Sequence, residues 1–195
     1  MTSKGEITKQ KIVAEATRLV QQKGFKATSM SDLVAAAGVQ KGCLYFHFAG
    51  KDELLLAILE QAKADFLLLI DGALQGDTPG ASLDNFFRGT LALQQGNGFT
   101  CGCIFGKLAQ EMGDQDPRVA AFIQALFTDW AEKIAVVVQA AQRSGEITCG
   151  LSAEVLGRHI IMALEGGILL TTLERRARPL EECIVSLRAL LGLTG

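Results

Sequence analysis

Prolines, histidines and aromatic residues are scarce in this sequence of 195 residues. It contains three prolines, two histidines and 6% aromatic side chains. His47 and His159 lie far apart, and Cys101 and Cys103 are too closely spaced for an ordinary zinc pair. The sequence also lacks a phosphate-binding glycine loop and a nucleophile elbow. These absences predict a protein without a metal or a cofactor and argue against the common enzyme classes.

The cysteines do not form the pattern of a disulfide framework. There are five, an odd number, and they are scattered along the chain, which favours a reducing compartment. No apolar region follows the charged N-terminus, so no signal peptide is predicted. The most apolar segment, 159–173, contains Glu165 and two glycines and is shorter than the ~20 residues of a membrane span. We therefore expect a cytoplasmic protein that has no membrane partner.

Charge is distributed unevenly along the chain. Residues 1–51 carry eight Lys or Arg and three Asp or Glu, a net charge of +5, whereas residues 52–195 carry eleven and eighteen, a net charge of −7. A small basic unit at one end is typical of a contact with a polyanion such as nucleic acid. A solvated surface can show the same excess, so charge alone leaves both interpretations open.

Apolar periodicity predicts an all-α fold. In a first helix from about Ile7 to Lys23, apolar residues recur at i, i+4, i+7 and i+8, and Gly24 ends it. Two short helices follow, one ending at Gly38 and one over "KGCLYFHF". Later helices are predicted from Lys51 to Phe66–Ile70, after an N-cap at Ser82, over "IFGKLAQEM", from Pro117 to Arg143, after an N-cap at Ser152, and from Pro179 to Leu191.

The two short helices and the glycine between them match a helix-turn-helix. Leu33, Ala37 and Leu44 supply its small core, with the first helix packed behind. The stretch "TSMSDLVAAAGVQKGCLYFHFAGKDELL" resembles the DNA-binding segment of the TetR family of bacterial transcriptional regulators. The resemblance covers residues 7–60 strongly, because the glycine, Leu-Tyr-x-His-Phe and the following Lys-Asp-Glu-Leu agree in type and spacing. The remaining two-thirds resembles the family mainly in its helical layout.

The resemblance implies two domains and a double-stranded DNA operator as partner. Residues 1–50 would form the helix-turn-helix domain, with three helices, and residues 51–195 a larger helical domain for ligand binding and dimerisation. Lys41 can reach a base or a phosphate, and Gly42 allows a close approach to the DNA backbone. The full set of candidate DNA-binding residues is Ser29, Ser31, Gln40, Lys41, Gly42, Cys43, Tyr45, His47 and Lys51. An alternative is that Tyr45 and His47 only pack between helices.

A cysteine motif lies in the second part of the chain. "TCGCIFGKLAQEM" resembles a TetR subgroup with Gly-Cys-x-x-x-Lys-Leu-x-x-Glu, which includes repressors that sense electrophiles or oxidants through the cysteine. A helix start at Cys103 and Lys107 one turn later would both favour the reactive thiolate. Free cysteine is also common as a small core residue, so a sensor and a core role both remain open.

The ligand site and the dimer interface are less well specified by the sequence. Glu165, within an apolar helix, could face a ligand, a partner helix or solvent. The candidate ligand-binding or sensing residues are Cys103, Phe105, Phe122, Trp130, Met162 and Glu165. In TetR-like proteins the last two helices form a four-helix bundle with their copy, so we expect a homodimer. The expected contacts are Leu156, Ile160, Leu164, Ile168, Leu187 and Leu190, with Gly166 and Gly167 at the closest approach.

These observations predict a repressor that a small-molecule or electrophile signal releases from a palindromic operator. The signal would favour a conformation in which the two recognition helices have the wrong separation. The alternative is a cysteine-dependent helical enzyme that uses Cys103. That alternative is weaker because the sequence places no general base near this cysteine.

Overall fold

A computed structural model describes residues 3–193 of the chain. Within this range the chain forms nine α-helices and no strand, which confirms the all-α prediction. The helices are α1 Lys4–Lys23, α2 Met30–Ala37, α3 Lys41–His47, α4 Lys51–Ala73, α5 Pro79–Gly96, α6 Ile104–Met112, α7 Pro117–Ser144, α8 Ala153–Glu174 and α9 Arg178–Leu191.

The chain divides into two compact units. The first comprises the chain up to Phe66 together with Ile104–Ala120, and the second comprises Leu67–Cys103 together with the chain from Ala121. Helix α6, although distant in sequence, therefore belongs to the same compact unit as α1, α2 and α3. The functional boundary expected at residue 50 stays a prediction.

Local capping fixes the helix ends of the first unit. Ser3 caps α1 by accepting from the backbone N–H of Glu6, so the helix begins three residues before the predicted Ile7. Gly38, with φ +62°, ends α2 in the left-handed conformation that glycine adopts most easily. The buried side chains Ile12, Ala16, Val20, Leu33, Leu44 and Phe48 form the core that holds α1, α2 and α3.

Helix α5 in the second unit starts earlier than predicted. Thr78, not Ser82, is its N-cap, because Pro79 is preset for the first helical position and Thr78 has the extended backbone of a cap. Ser82 lies buried in the first turn, where its hydroxyl donates to the carbonyl of Thr78. Glu146 accepts from the Thr78 hydroxyl and from the backbone N–H of Gly80, which ties this helix start to the turn after α7.

Helices α8 and α9 pack tightly against each other inside the second unit. A Cβ at Gly167 would lie 3.1 Å from Cβ of Cys183, so this glycine serves packing within the chain. The assignment of most dimer contacts was wrong, because one face of α8 and part of α9 are already covered by this chain. The buried residues are Leu156, Ile160, Leu164, Ile168 and Leu187, whereas Leu190 and Gly166 are exposed.

Helix α8 is also more apolar than expected for a soluble chain. By length and composition Ala153–Glu174 could cross a membrane, which differs from the expectation that no segment is long enough. In the structure 44% of that window is buried, so the helix uses one side for packing within the second unit. Length and composition do not distinguish a membrane helix from a helix with a core on one side.

Candidate functional site

Helix α3 presents two different faces. Leu44 and the adjoining Phe48 are buried, so they attach the helix to the core. Lys41, Gly42 and Tyr45 are exposed, and the ammonium of Lys41 lies 5.9 Å from the centre of the Tyr45 ring. This exposed face of α3 combines positive charge with an aromatic hydroxyl. Such groups contact phosphates and base edges in a major groove.

Phe46 is the residue of this face that sequence reasoning missed. It is 83% exposed, and its ring meets the ring of the half-buried His47 edge-on, with centroids 5.1 Å apart. The burial of Leu44 and Phe48 could have revealed it, because 100° per residue places position 46 on the opposite side of the helix. Aromatic content alone gave no such signal.

The remaining predicted DNA contacts differ in their exposure and in their hydrogen bonds. The hydroxyl of Ser29 donates to Asp32, whose backbone N–H it caps in return, and Lys23 forms an ion pair of 2.8 Å with the same carboxylate. The Lys23 bond, followed by those from Ser29, holds the pKa of Asp32 well below its usual range. Ser31 and Gln40 are exposed, and Cys43 is half-buried.

Lys51 has a structural contact as well as its predicted role. Its ammonium donates to the carbonyl of Lys26 over 3.3 Å and lies 4.4 Å from the centre of the Phe25 ring. Burial lowers the pKa of Lys51, and the negative charges of Glu111 and Asp52 partly offset this effect. Lys51 therefore helps to hold the loop between α1 and α2, whether or not it also contacts DNA.

Two charged residues of α6 hold the C-terminal turn of α1. Lys107 donates to the carbonyls of Gln21 and Gln22 over 2.8 and 3.4 Å, and Glu111 accepts from the backbone N–H of Lys26 over 2.9 Å. A side chain at Gly24, where φ is +91°, would collide with the Glu111 carboxylate. We call this set of contacts the α1 clamp. It gives Lys107 a role that the cysteine motif did not predict.

Cys103 and Glu165 are brought together in the second unit. A side-chain hydrogen bond joins them, and burial raises the pKa of Glu165 despite this bond. The Oε1 atom of Glu165 is buried and has no hydrogen-bond partner in the part of the chain that the structure describes. The side-chain oxygen of Gln94, on α5, is in the same situation. Among the described residues, these two acceptors are therefore enclosed without a protein donor.

The other predicted ligand residues differ in location and burial. Phe105 lies in the first unit, where its ring packs on Phe66 at 5.5 Å, and Met162 is 63% exposed. Trp130 is buried with Phe127 and Phe86, and Phe122 is half-buried. An open groove of about 490 Å³ lies along α7 and α8, and none of the six predicted residues lines it.

Metal chemistry has no support among the described residues. Residues 3–193 contain no group of three or more His, Cys, Asp or Glu side chains that could hold a metal ion. His159 is exposed on α8.

A helix-turn-helix whose second helix, α3, has an exposed basic face defines a DNA-binding protein. Comparisons with known proteins identify its family. Residues 12–58 match the family of bacterial regulatory proteins called tetR, and residues 79–187, more than half of the chain, match the tetracyclin repressor-like C-terminal domain. The chain therefore belongs to the TetR family of transcriptional regulators.

Individual relatives agree with this assignment. The transcriptional repressor DhaR of Mycobacterium sp. is 26% identical over 95% of this chain and 93% of its own length. The transcriptional regulator AcuR of Cereibacter sphaeroides is 30% identical over 88% of this chain and 79% of its own. The crystal structure of a regulatory protein TetR from Rhodobacter sphaeroides covers 93% of this chain and 97% of its own, with 27% identity and a TM-score of 0.88.

Membership of the TetR family confirms the predicted function, the predicted fold class and the prediction that the chain is not an enzyme. The chain is a DNA-binding transcriptional regulator with an N-terminal helix-turn-helix and a helical C-terminal domain. It is not an enzyme, because the family and these relatives are regulators of transcription, and the enzyme alternative at Cys103 is dropped. The cysteine subgroup and the individual contacts with DNA stay predictions.

We predict different effects for the two lysines near the recognition helix. Replacing Lys41 by Ala should flatten the dependence of DNA affinity on salt by about 0.9 in log–log slope, the value for one lost phosphate contact. Lys51→Ala should also lower the free energy of unfolding, because the carbonyl of Lys26 loses its donor. The measurements are fluorescence anisotropy between 50 and 200 mM salt (about the range over which such contacts are resolved) and urea unfolding.

Lys133→Ala is the control, since Lys133 is paired with Asp71 in the second unit and should leave the slope unchanged. An unchanged slope in Lys41→Ala would remove that residue from the phosphate contacts.

Two glutamates should change stability with pH in opposite directions. The folded-state pKa of Glu165 is raised, so ionisation of its carboxyl group lowers the free energy of unfolding as pH rises above 4.5. Glu165→Gln cannot ionise, so its stability relative to wild type should increase with pH. Hydrogen bonds from Ser144 and Thr78 lower the pKa of Glu146, so its contribution is present above 4.5 and is lost as pH falls.

Urea unfolding of wild type, Glu165→Gln and Glu146→Gln from mildly acidic to neutral pH measures both effects. Glu146→Gln should be less stable than wild type at neutral pH, with a deficit that shrinks under acid conditions. A pH-independent difference for Glu165→Gln would contradict a raised pKa at that site.

Proposed function

We propose that this protein is a homodimeric repressor that acts in the cytoplasm and leaves a palindromic operator when a small molecule binds to its second unit. The observation that carries this proposal is an apolar face of α8 that the chain itself leaves uncovered. Val155, Met162, Leu169 and Leu173 are between 49% and 77% exposed. His159 and Gly166 are exposed at the positions between them, so that the residues of this face recur at alternating spacings of four and three.

A stripe with this spacing fits a second helix better than it fits solvent. Helix α9 adds Val185 and Leu190, which are 65% and 62% exposed. A contiguous exposed apolar patch on a soluble protein marks an interaction surface, and a second copy related by a two-fold axis offers the matching face. Gly166 lies in open space within one chain, which leaves room for the partner helix. We call these exposed residues of α8 and α9 together the outer face.

The dimer implies the form of the operator. Two copies of α3 related by a two-fold axis read two half-sites of opposite orientation, so the operator is a palindrome with a fixed spacing. A ligand that favours a different separation of the two helices lowers affinity for that spacing. The name of the relative DhaR, a repressor, supports the same sign of regulation.

The contacts of Cys103 favour a ligand that binds without covalent chemistry. A thiol becomes a reactive thiolate beside a cation, but Cys103 is hydrogen-bonded to the carboxyl group of Glu165. Lys107, the cation predicted to assist, donates to carbonyls of α1. The unsatisfied oxygens of Glu165 and Gln94 are acceptors that a polar group of a ligand could engage. Sensing of an electrophile by Cys103 is the alternative.

We predict that charges on the outer face abolish the dimer. Met162→Glu with Leu169→Glu should shift the protein to a monomer, because like charges would be buried against their copies at the two-fold interface. Sedimentation velocity at micromolar concentration measures the change, and operator affinity should fall with it.

Leu68→Glu is the matched control, because Leu68 on α4 is 75% exposed and is not part of the outer face. It should remain dimeric. A wild-type monomer at micromolar concentration would contradict the proposal, and so would a double variant that dimerises as the parent does.

Cysteine variants separate the two kinds of signal. We expect a mild electrophile to release DNA by blocking Cys43 on the recognition helix, so that release persists in Cys103→Ser and is lost in Cys43→Ser. Operator release in an anisotropy assay measures this. Release that is lost in Cys103→Ser and kept in Cys43→Ser would replace the non-covalent ligand by an electrophile signal.

A further inference from the structure

Phe46 is an apolar side chain placed on the DNA-binding surface. Its exposure, 83%, is the highest among the large apolar residues that the structure describes. Leu44 and Phe48, two positions before and after it, are by contrast buried. The phenyl group of Phe46 therefore does not belong to the core that holds α3 in the first unit.

The surroundings of the ring leave one side open. Side chains at i and i+4 lie on the same face of a helix, and the residue one turn before Phe46 is Gly42, which has no side chain. A Cβ at Gly42 would meet no atom within 4 Å, so the helix surface at this position is open. Tyr45 differs, because one turn before it lies Lys41, whose ammonium is 5.9 Å from the Tyr45 ring centre.

The position of the ring is also defined. The His47 ring meets it at 81° with centroids 5.1 Å apart, a T-shaped contact of the kind that aromatic rings favour. The ring therefore has a defined position on the exposed side of α3. In a helix-turn-helix the recognition helix enters the major groove, where base edges are displayed.

The chemistry of phenylalanine limits what it can contact there. It has no donor or acceptor, so it can satisfy neither a phosphate oxygen nor the polar groups of a base edge. The apolar group that the major groove displays is the C5 methyl of thymine, and phenylalanine is among the side chains that contact it. We propose that Phe46 reads a thymine methyl group in each half-site of the operator.

The assignment gives Phe46 a role in specificity rather than in affinity for phosphate. A cytosine at the same position lacks the methyl group, so the contact discriminates between bases without a hydrogen bond. Lys41, Tyr45 and Lys51 would contribute to binding of any sequence through charge and phosphate contacts. The inference rests on the DNA-binding activity of the family and, for its two half-sites, on the proposed dimer, and it is independent of the ligand.

Replacement of thymine by uracil tests this contact directly. Uracil keeps every hydrogen-bonding group of thymine and lacks only the methyl. An operator is first selected from a random duplex library with the full-length protein, and each thymine is then replaced in turn. Wild type should lose affinity about fourfold at one thymine of each half-site, the effect of about 0.8 kcal/mol for one buried methyl-sized group.

Variants of Phe46 connect the effect to the side chain. Phe46→Ala should bind more weakly and should show no further loss at that uracil, whereas Phe46→Leu should keep part of the sensitivity. Tyr45→Phe is the matched control, because it removes a hydroxyl from the adjacent ring and should leave the uracil effect unchanged. Melting temperatures verify that the exposed substitutions leave the fold intact.

Several results would overturn the inference. A uracil scan in which wild type is insensitive at every thymine would do so even if Phe46→Ala fails to fold. Equal sensitivity of wild type and Phe46→Ala at the critical thymine would also exclude Phe46 as the reader. A selection that enriches no sequence would remove both this inference and the proposed operator, whereas a flat scan on an enriched palindrome would remove this inference alone.

Discussion

The ammonium of Lys107 on the last carbonyls of α1 is the contact on which the arrangement of the first unit depends. The final carbonyls of a helix have no partners within it and carry the negative end of its dipole, so a cation there both satisfies and stabilises them. Glu111 holds the backbone just beyond, at Lys26. Since α1 supports α2 and α3 through a shared core, the α1 clamp fixes the base on which the recognition helix is set.

The clamp also explains part of the cysteine motif. Its lysine and glutamate are spaced by four residues, so they lie on the same side of α6 and reach the same turn of α1. The sequence suggested that Lys107 acts on the neighbouring thiol, because residues near in sequence were assumed to be partners. In the structure its acceptors lie 85 and 86 residues away. Long-range partners of this kind leave no periodic signal.

Features that depend on local interactions were predictable from the sequence, whereas features that depend on long-range packing were not. Gly24, Gly38 and Pro117 mark helix ends by their own backbone preferences, and these ends were predicted correctly. The outward face of α8 was assigned to the wrong leucines, because this helix is apolar on two sides and periodicity cannot say which side the chain itself covers. Phe46 was missed although its position could be inferred, because helical periodicity places it opposite the buried Leu44 and Phe48.

The exposed side of helix α8 affects the stability and turnover of the protein as well as its assembly. One side packs within the second unit, and the other exposes Val155, Met162, Leu169 and Leu173, which a second chain would shield in the proposed dimer. In the proposed dimer, folding and association are therefore one equilibrium, and the folded fraction depends on how many copies are present. A sparse population would spend more time with this side uncovered, accessible to proteases and chaperones. The abundance of the regulator would thereby influence its own turnover.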